Sequence, residues 1–315
     1  MRPSRRGIRI LPGALFRWRF VSPRRVLVRR VVAALILFGA VVISLLSRSG
    51  LVVLAIWAVT LLLLRFHDRS AFRYFLSTNL SALNPRVLLQ SLLQLIGEVV
   101  ARLRLLGRAP TPRAFSPRVS YTLPVKGRWL VGRGGVTPRT SHSWLLIGQR
   151  YAYDFVAIDP QGKQHRGTPT RKEDYFSYGQ PIIAPADGVV VALRDGVRDA
   201  PEVGTGWVDW LTADFRGNFV VIKHADAEYS LAAHLIPGSL AVGVGDPVRR
   251  GKQIGLCGHS GHSTEPHLHF QLQDRPDFFF AACLPLPFAG VIVDGVAQAA
   301  PVYLTGGSRV EQSTA

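Results

Sequence analysis

Residues 267–273 read His-Leu-His-Phe-Gln-Leu-Gln, an apolar/polar alternation with a period of two. That period belongs to a β-strand, where successive side chains point to opposite faces. Leu268, Phe270 and Leu272 would enter a core. His267 and His269 would then point together from the other face into one cleft. Two imidazoles fixed on one strand face form half of a metal or acid–base site. The same spacing also serves a plain polar face, so the pair becomes a site only if further ligands lie upstream. Gly258 and Gly261 let the preceding loop turn tightly, and Pro266 fixes the approach to the strand.

The surrounding sequence predicts more strands. PIIAPADGVVVAL (181–193), GNFVVIKH (217–224), YSLAAHL (229–235) and KQIGLCG (252–258) are short apolar runs. Turn signals separate them at Asp187-Gly188, Asp195-Gly196 and Gly245-Asp246-Pro247. The expected class is mainly β: a small antiparallel β-barrel or sandwich. Preceding it, an N-terminal hydrophobic helical hairpin and an amphipathic helix are expected. The chain has 315 residues, room for one or two domains and added segments. Cys257 and Cys283 lack a CxxC spacing, which argues against a thiolate metal site and leaves a single disulfide or two buried thiols.

The N-terminal third is different. Residues 1–30 hold ten arginines and no acid, and the first acidic residue is Asp68. A basic head of this kind favours the cytoplasmic side of a membrane. Residues 31–46 and 51–64 are two apolar runs separated by Ser47-Arg48-Ser49-Gly50. Each is slightly short of the ~20 residues of a full span. They predict transmembrane helical segments within 31–65, either as a hairpin or as one tilted span with an interfacial helix. Within 66–107, Gln90, Gln94, Glu98 and Arg102 recur every four residues and form one polar stripe on an otherwise apolar helix. This predicts an amphipathic helix lying on a membrane or packed on the hairpin. A third span would bury Glu98 and Arg102 at a cost. Residues 108–120, with three prolines, read as a linker. The β domain is expected over 121–300, followed by a tail at 301–315. The net charge of +18 and mean hydropathy of +0.18 suit an anionic surface such as phospholipid or a cell-wall polymer. No nucleic-acid-binding motif accompanies the charge, and nucleic acid is not an expected partner.

Three upstream residues are candidates to complete the histidine pair. Asp154 alternates with Tyr153 and Phe155 in RYAYDFVAI; taken alone it is equally a salt-bridged carboxylate. His142 lies in the loop RTSHSWLLIGQR. His234 ends YSLAAHL, where a hydrogen-bonded, half-buried histidine would also fit.

Taken in order, GNFVVIKH, YSLAAHL and GDPVRRGKQIGLCGHSGHSTEPHLHFQL resemble the lysostaphin-type zinc metallopeptidases, which cut peptide bonds in peptidoglycan. The resemblance spans about residues 127–275. It implies a zinc site that includes Asp154 and His269, with His234 and His267 as catalytic histidines that orient or deprotonate a zinc-activated water and stabilise the oxyanion. Asn218 matches a frequent family asparagine and is expected at the substrate; a strand-end hydrogen bonder is the other reading. One departure stands out. The family's usual histidine four residues before the aspartate is Arg150 here, which cannot ligate zinc. His142, the one histidine between the linker and Asp154, is assigned instead. Ser260 and Ser263 read as loop hydrogen bonders. His259 and His262 read as substrate-side polarity or as residues with no role in the site, with metal binding as a further reading.

The resemblance therefore implies a membrane-anchored zinc metalloendopeptidase acting on peptidoglycan crosslinks. The alternative is a catalytically inactive domain of the same fold that regulates or scaffolds other cell-wall hydrolases. The implied partners are peptidoglycan peptide, membrane lipid and an unspecified protein activator. The implied location is the bacterial inner membrane with the catalytic domain on the periplasmic side. A two-span hairpin with its basic head inside would return the domain to the cytoplasm, so the outward placement follows from function and not from charge.

Overall fold

The computed structural model describes residues 69–313; the basic head and the two apolar runs expected to form a hairpin lie outside them. No helix among the described residues is long and apolar enough to cross a membrane. Two α-helices come first, α1 (Arg69–Leu80) and α2 (Pro85–Arg104). Thirteen strands follow: β1 (Trp129–Arg133), β2 (Tyr153–Ala157), β3 (Pro181–Ile183), β4 (Gly188–Arg194), β5 (Asn218–Ala225), β6 (Glu228–Leu235), β7 (Pro247–Val248), β8 (Gln253–Leu256), β9 (Leu268–Gln273), β10 (Cys283–Leu284), β11 (Val291–Val293), β12 (Val296–Ala297) and β13 (Arg309–Gln312). The strands expected around residues 181–193, 217–224, 229–235 and 252–258 are all present.

Eleven strands form one antiparallel sheet in the order β12-β11-β13-β1-β2-β9-β6-β5-β4-β7, with β10 also pairing β9; β3 and β8 make a separate two-stranded sheet. The large sheet is open, which corrects the expected barrel. Its two edges, β12 and β7, are two residues long, and β7 begins with Pro247, whose ring nitrogen has no hydrogen to donate. Edges this short give little ladder from which to close the sheet on itself.

The strand at 268–273 sits between β2 and β6, at the centre of the sheet. Leu268, Phe270 and Leu272 enter the main core with Trp129, Tyr153, Phe155 and Phe288, as the alternation predicts. The opposite face of β9 is buried too: Gln271 and Gln273 are fully covered. Such buried amides must be satisfied. Gln271 donates to Gly148 O at 3.1 Å and to Gln273 Oε1 at 2.8 Å, and Gln273 donates to Arg275 O at 2.7 Å. Both cysteines are buried and free.

The helices pack on the β domain in an unexpected way. Asn84 caps α2 by accepting from Arg86 N, and its amide donates to Trp210 O and Thr212 O. From there the polar stripe turns inward. Gln90 donates to Ala213 O and accepts from Phe215 N, while Glu98 accepts from Ile147 N and Gly148 N, both at 2.8 Å. Val87, Gly97, Glu98 and Ala101 are the buried residues of α2. The polar stripe therefore supplies contacts to the β domain, a partner the expected packing on a membrane or on the hairpin did not include. Isolated polar residues on an apolar helix normally mark the wet side, but here the surface being met consists of open loop N–H and C=O groups that need partners. Residues 108–120 have no regular secondary structure beyond turns, yet they lie along the domain: Phe115 and Val119 pack on the core and Arg118 N donates to Glu228.

Gly97 is where α2 comes closest. A Cβ there would lie 1.8 Å from Phe279 O. Replacing glycine by alanine inside a helix gains ~1 kcal/mol from propensity, whereas forced overlap in a packed contact costs about 1–3 kcal/mol. Overlap with a backbone carbonyl cannot be relieved by a rotamer change, so Gly97→Ala is expected to lower the melting temperature. Val99→Ala on the outward face should leave it within ~0.5 kcal/mol of wild type. Thermal unfolding of the two variants checks both.

Candidate metal centre and active site

The pairing register builds the site. Asp154 on β2 lies opposite His269 on β9, and Ala233 on β6 lies opposite the other side of His269. Three adjacent strands thus bring Asp154, His269 and, one residue past Ala233, His234 together. His267, two residues before His269, faces the same way. Its ring centroid is 4.8 Å from that of His234. The loop between β1 and β2 adds His142, whose ring lies 5.9 Å from that of His269. One ligand atom each from His142, Asp154 and His269 lie within 4.8 Å of one another, the one such group of three among the described residues.

The hydrogen bonds fix which nitrogens face the centre. His234 Nδ1 is 2.8 Å from Ser260 O, and His267 Nδ1 is 2.8 Å from Glu265 O. A carbonyl only accepts, so each Nδ1 carries the proton and each Nε2 is the bare nitrogen. On the far side of His269, Gln271 has committed its NH2 to Gly148 and Gln273. Its Oε1 therefore faces His269 Nε2, at 3.4 Å, as an acceptor. That leaves the Nδ1 lone pair of a neutral His269 aimed at Asp154 Oδ1, 2.9 Å away. His142 Nδ1 is buried without a hydrogen-bond partner, 3.6 Å from Asp154 Oδ2. The nitrogens of His142 and His269 and the carboxylate of Asp154 thus converge on one point, where a cation would meet all three. Two imidazoles and a carboxylate match the donor set of a divalent metal with an open position.

Burial alone would raise the Asp154 pKa; with no cation bound, the charge of His142, a hydrogen bond from His269 and the charge of His267 outweigh it and hold the carboxyl far below the usual carboxylate range. Burial lowers His142 and, reinforced by His267 and His269, lowers His234 well below a free imidazole. His234 is thus neutral at pH 7. Its backbone is left-handed, with φ of 65°, a strained conformation for a residue with a Cβ. The loop after it is held by close backbone approach: a Cβ on Gly258 would meet Ile236 N at 2.5 Å, and Gly261, at φ of 78°, lies against Gly217.

The loop that carries His142 has three supports. The Arg150 guanidinium lies over the Trp144 ring at 5.1 Å, and its Nε donates to Trp144 O. Ser141 donates to Arg150 O, and Glu98 takes the N–H groups of Ile147 and Gly148. Arg150, which replaces the family's usual histidine, thus shapes the loop that presents another one. Glu98 escaped the sequence reading because its role depends on a contact 49 residues away.

The remaining candidates lie as follows. Asn218, expected at the substrate, is fully buried. Its Oδ1 accepts from Val197 N, its amide donates to Val197 O and Leu235 O, and its backbone N–H donates to Ser260 Oγ. It is a bracket between strands. His259 is fully buried, with Nε2 donating to Glu202 O and Nδ1 against Ser263 Oγ, which lies 3.2 Å from His267 Nδ1. It supports His267 from behind and meets neither metal nor substrate. His262 is held by Ser81 and Phe215, away from the centre. Ser260 bonds Leu235 O, as a loop residue should.

Residues 165–278 match the family model described as peptidase family M23. The match contains His234, His267 and His269 and begins after His142 and Asp154. Peptidoglycan DD-endopeptidase ShyA of Vibrio cholerae is 33% identical over 110 residues, 34% of this chain and 21% of that protein. DD-carboxypeptidase/endopeptidase Mpg of Neisseria meningitidis is 41% identical over 167 residues, 51% of this chain and 32% of that protein. Among solved structures, lysostaphin from Staphylococcus simulans aligns with a TM-score of 0.30 and 22% identity, covering 51% of each chain. The chain spans a fifth to a third of the length of these two curated relatives.

Two outcomes are expected. Asn218→Ala strands Val197 N–H and Val197 O in the interior, while Leu235 O keeps Ser260 Oγ; at ~1–3 kcal/mol per unsatisfied group this should lower the melting temperature by several degrees, and a change confined to substrate affinity would restore the substrate role. His224, His259 and His262 are each lowered by burial from 6.5 to about 4. The unfolded chain then binds more protons below pH 6.5, so stability is full above that pH and falls as pH drops towards about 4. Melting curves across that window check the sign.

Proposed function

Because the chain belongs to peptidase family M23, we propose that it is a membrane-anchored zinc metalloendopeptidase that hydrolyses peptide bonds in peptidoglycan crosslinks. The observation that carries this reading is the convergence of His142, Asp154 and His269 beside two histidines with bare Nε2 atoms. The relatives named above as peptidoglycan endopeptidases give the substrate class. Residues 31–46 and 51–64 supply the anchor, with the catalytic domain on the periplasmic side of the inner membrane.

Zinc bound by His142, Asp154 and His269 supplies Lewis acidity to a water and to the scissile carbonyl. The protein does the rest. Gln271 holds His269 by its Nε2–H, and Arg150, Ser141 and Glu98 hold the loop of His142. His234, kept neutral by burial, and His267 turn Nε2 towards the attacking water. One imidazole takes the water's proton as the oxygen bonds to the carbonyl carbon. The imidazolium so formed stands beside the developing oxyanion and stabilises it. As the C–N bond breaks, the proton passes to the leaving amine. Ser260 O and Glu265 O keep both rings in the tautomer this requires, so neither ring needs to turn during the cycle.

The inactive-module alternative drew its support from Arg150 standing where a ligand is usual. His142 reaching the same carboxylate favours the enzyme. Purified full-length chain is expected to hold one zinc, and His142→Ala to bind it at least 10-fold more weakly. Crosslinked peptidoglycan should be cleaved by the wild type, lose that cleavage on chelation and regain it with added zinc. Zinc retained in full by His142→Ala would refute the ligand assignment, and a zinc-loaded wild type inert on peptidoglycan would point to the regulatory module. A C-terminal reporter active only in the cytoplasm would exclude the wall as substrate.

A further inference from the structure

Because α2 spends its polar stripe on the β domain, its outward face is apolar. Leu88, Leu92, Leu95, Ile96, Val99 and Leu103 are all exposed, at 41–69% of their full surface. Their spacing of three and four puts them on one side of a helix of 20 residues, ~30 Å long. Leu145, whose carbonyl accepts from Arg102, is 75% exposed beside them and widens the face. An apolar strip of this length on a protein surface marks a docking site.

Charge identifies the occupant. Between Asp68 and Asp154 the chain has one acid, Glu98, and it is turned inward onto Ile147 and Gly148. Exposed Arg86 and Arg108 flank the strip at its two ends, and Arg104 is paired with Asp274. An apolar strip flanked by arginines complements the headgroup and upper acyl region of an anionic bilayer. A second copy would place arginine against arginine, which disfavours a symmetric dimer. Position in the chain agrees: the apolar run at 51–64 ends five residues before α1, and α1 leads directly into α2. We infer that the outward face of α2 is a lipid-docking surface that seats the domain on an anionic membrane. Glu98 joins this helix to the loop carrying His142, so the docked helix and the candidate metal centre share a support. The inference is independent of the peptidase reading, and of whether 31–64 is the anchor.

The test uses the full chain reconstituted with vesicles of phosphatidylethanolamine and phosphatidylglycerol. Cys257 and Cys283 are buried, so a single introduced cysteine takes the label. An environment-sensitive fluorophore is placed at Leu92→Cys, Leu95→Cys or Leu103→Cys, with Val244→Cys in the β domain, 63% exposed, as the reference. Variants are used only where their melting temperature matches wild type, which exposed sites permit. Nitroxide groups high on the acyl chains are expected to quench the three helix labels at least 2-fold more than the reference, while aqueous iodide quenches only the reference. Helix labels quenched by iodide like the reference would overturn the inference, because the face is then in water. Labels shielded from both quenchers would show that protein covers it. Covalent dimers formed across Leu92→Cys would assign it to a second copy. A chain that does not associate with the vesicles would also defeat it.

Discussion

A carboxylate enclosed among three imidazoles governs this molecule. Asp154 is half-buried on a central strand, where an unpaired charge would be costly, and everything that makes it tolerable comes from elsewhere in the chain. His269 arrives by register across β2 and β9, His267 by sharing the strand face, and His142 by a loop that other residues hold in place. Each of those partners has its own second attachment: Gln271 behind His269, Glu265 O behind His267, Glu98 and Arg150 around His142. Loss of an outer attachment leaves the ligand in place but free to turn, a different failure from loss of the ligand itself.

The parts that were legible in the sequence are those with local periodicity. The alternation at 267–273 fixes a strand, and the strand fixes which histidines share a face. The same holds for β4, β5 and β6. What was not legible depends on long-range pairing. Barrel closure is decided by whether distant edges meet, and nothing in the short β7 and β12 announces that they do not. The polar stripe on α2 marks an amphipathic helix but does not say what the stripe meets. The actual partners, Phe215 N, Ile147 N and Gly148 N, lie 49–125 residues away. Asn218 was legible only in part: its match to a frequent family asparagine implied a substrate contact and its place at a strand end a hydrogen bonder, and its side chain is held by backbone groups of two other segments.

His142 lies between these cases. Its place in the sequence made it the available histidine once Arg150 was set aside, but no spacing rule carries a loop histidine to a carboxylate twelve residues on. The loop does so through contacts that read individually as unremarkable: an arginine over a tryptophan, a serine on a carbonyl, a helix glutamate on two amides. The placement of His142 is spread over several residues of a loop and one distant helix. The precision of the centre accordingly rests on that loop keeping its shape.

His234 carries a further consequence. Its backbone sits at φ of 65°, a region that asparagine and glycine enter at lower cost than other residues. Exchanging it for asparagine would remove the imidazole and, in the same step, relax the main chain between β6 and the Gly258 loop. A protein so altered would lose the imidazole while its main chain kept a conformation asparagine accepts readily. It would therefore be a suitable vehicle for trapping an uncleaved peptide in the cleft, where an alanine at the same position would keep the strain and lose the ring.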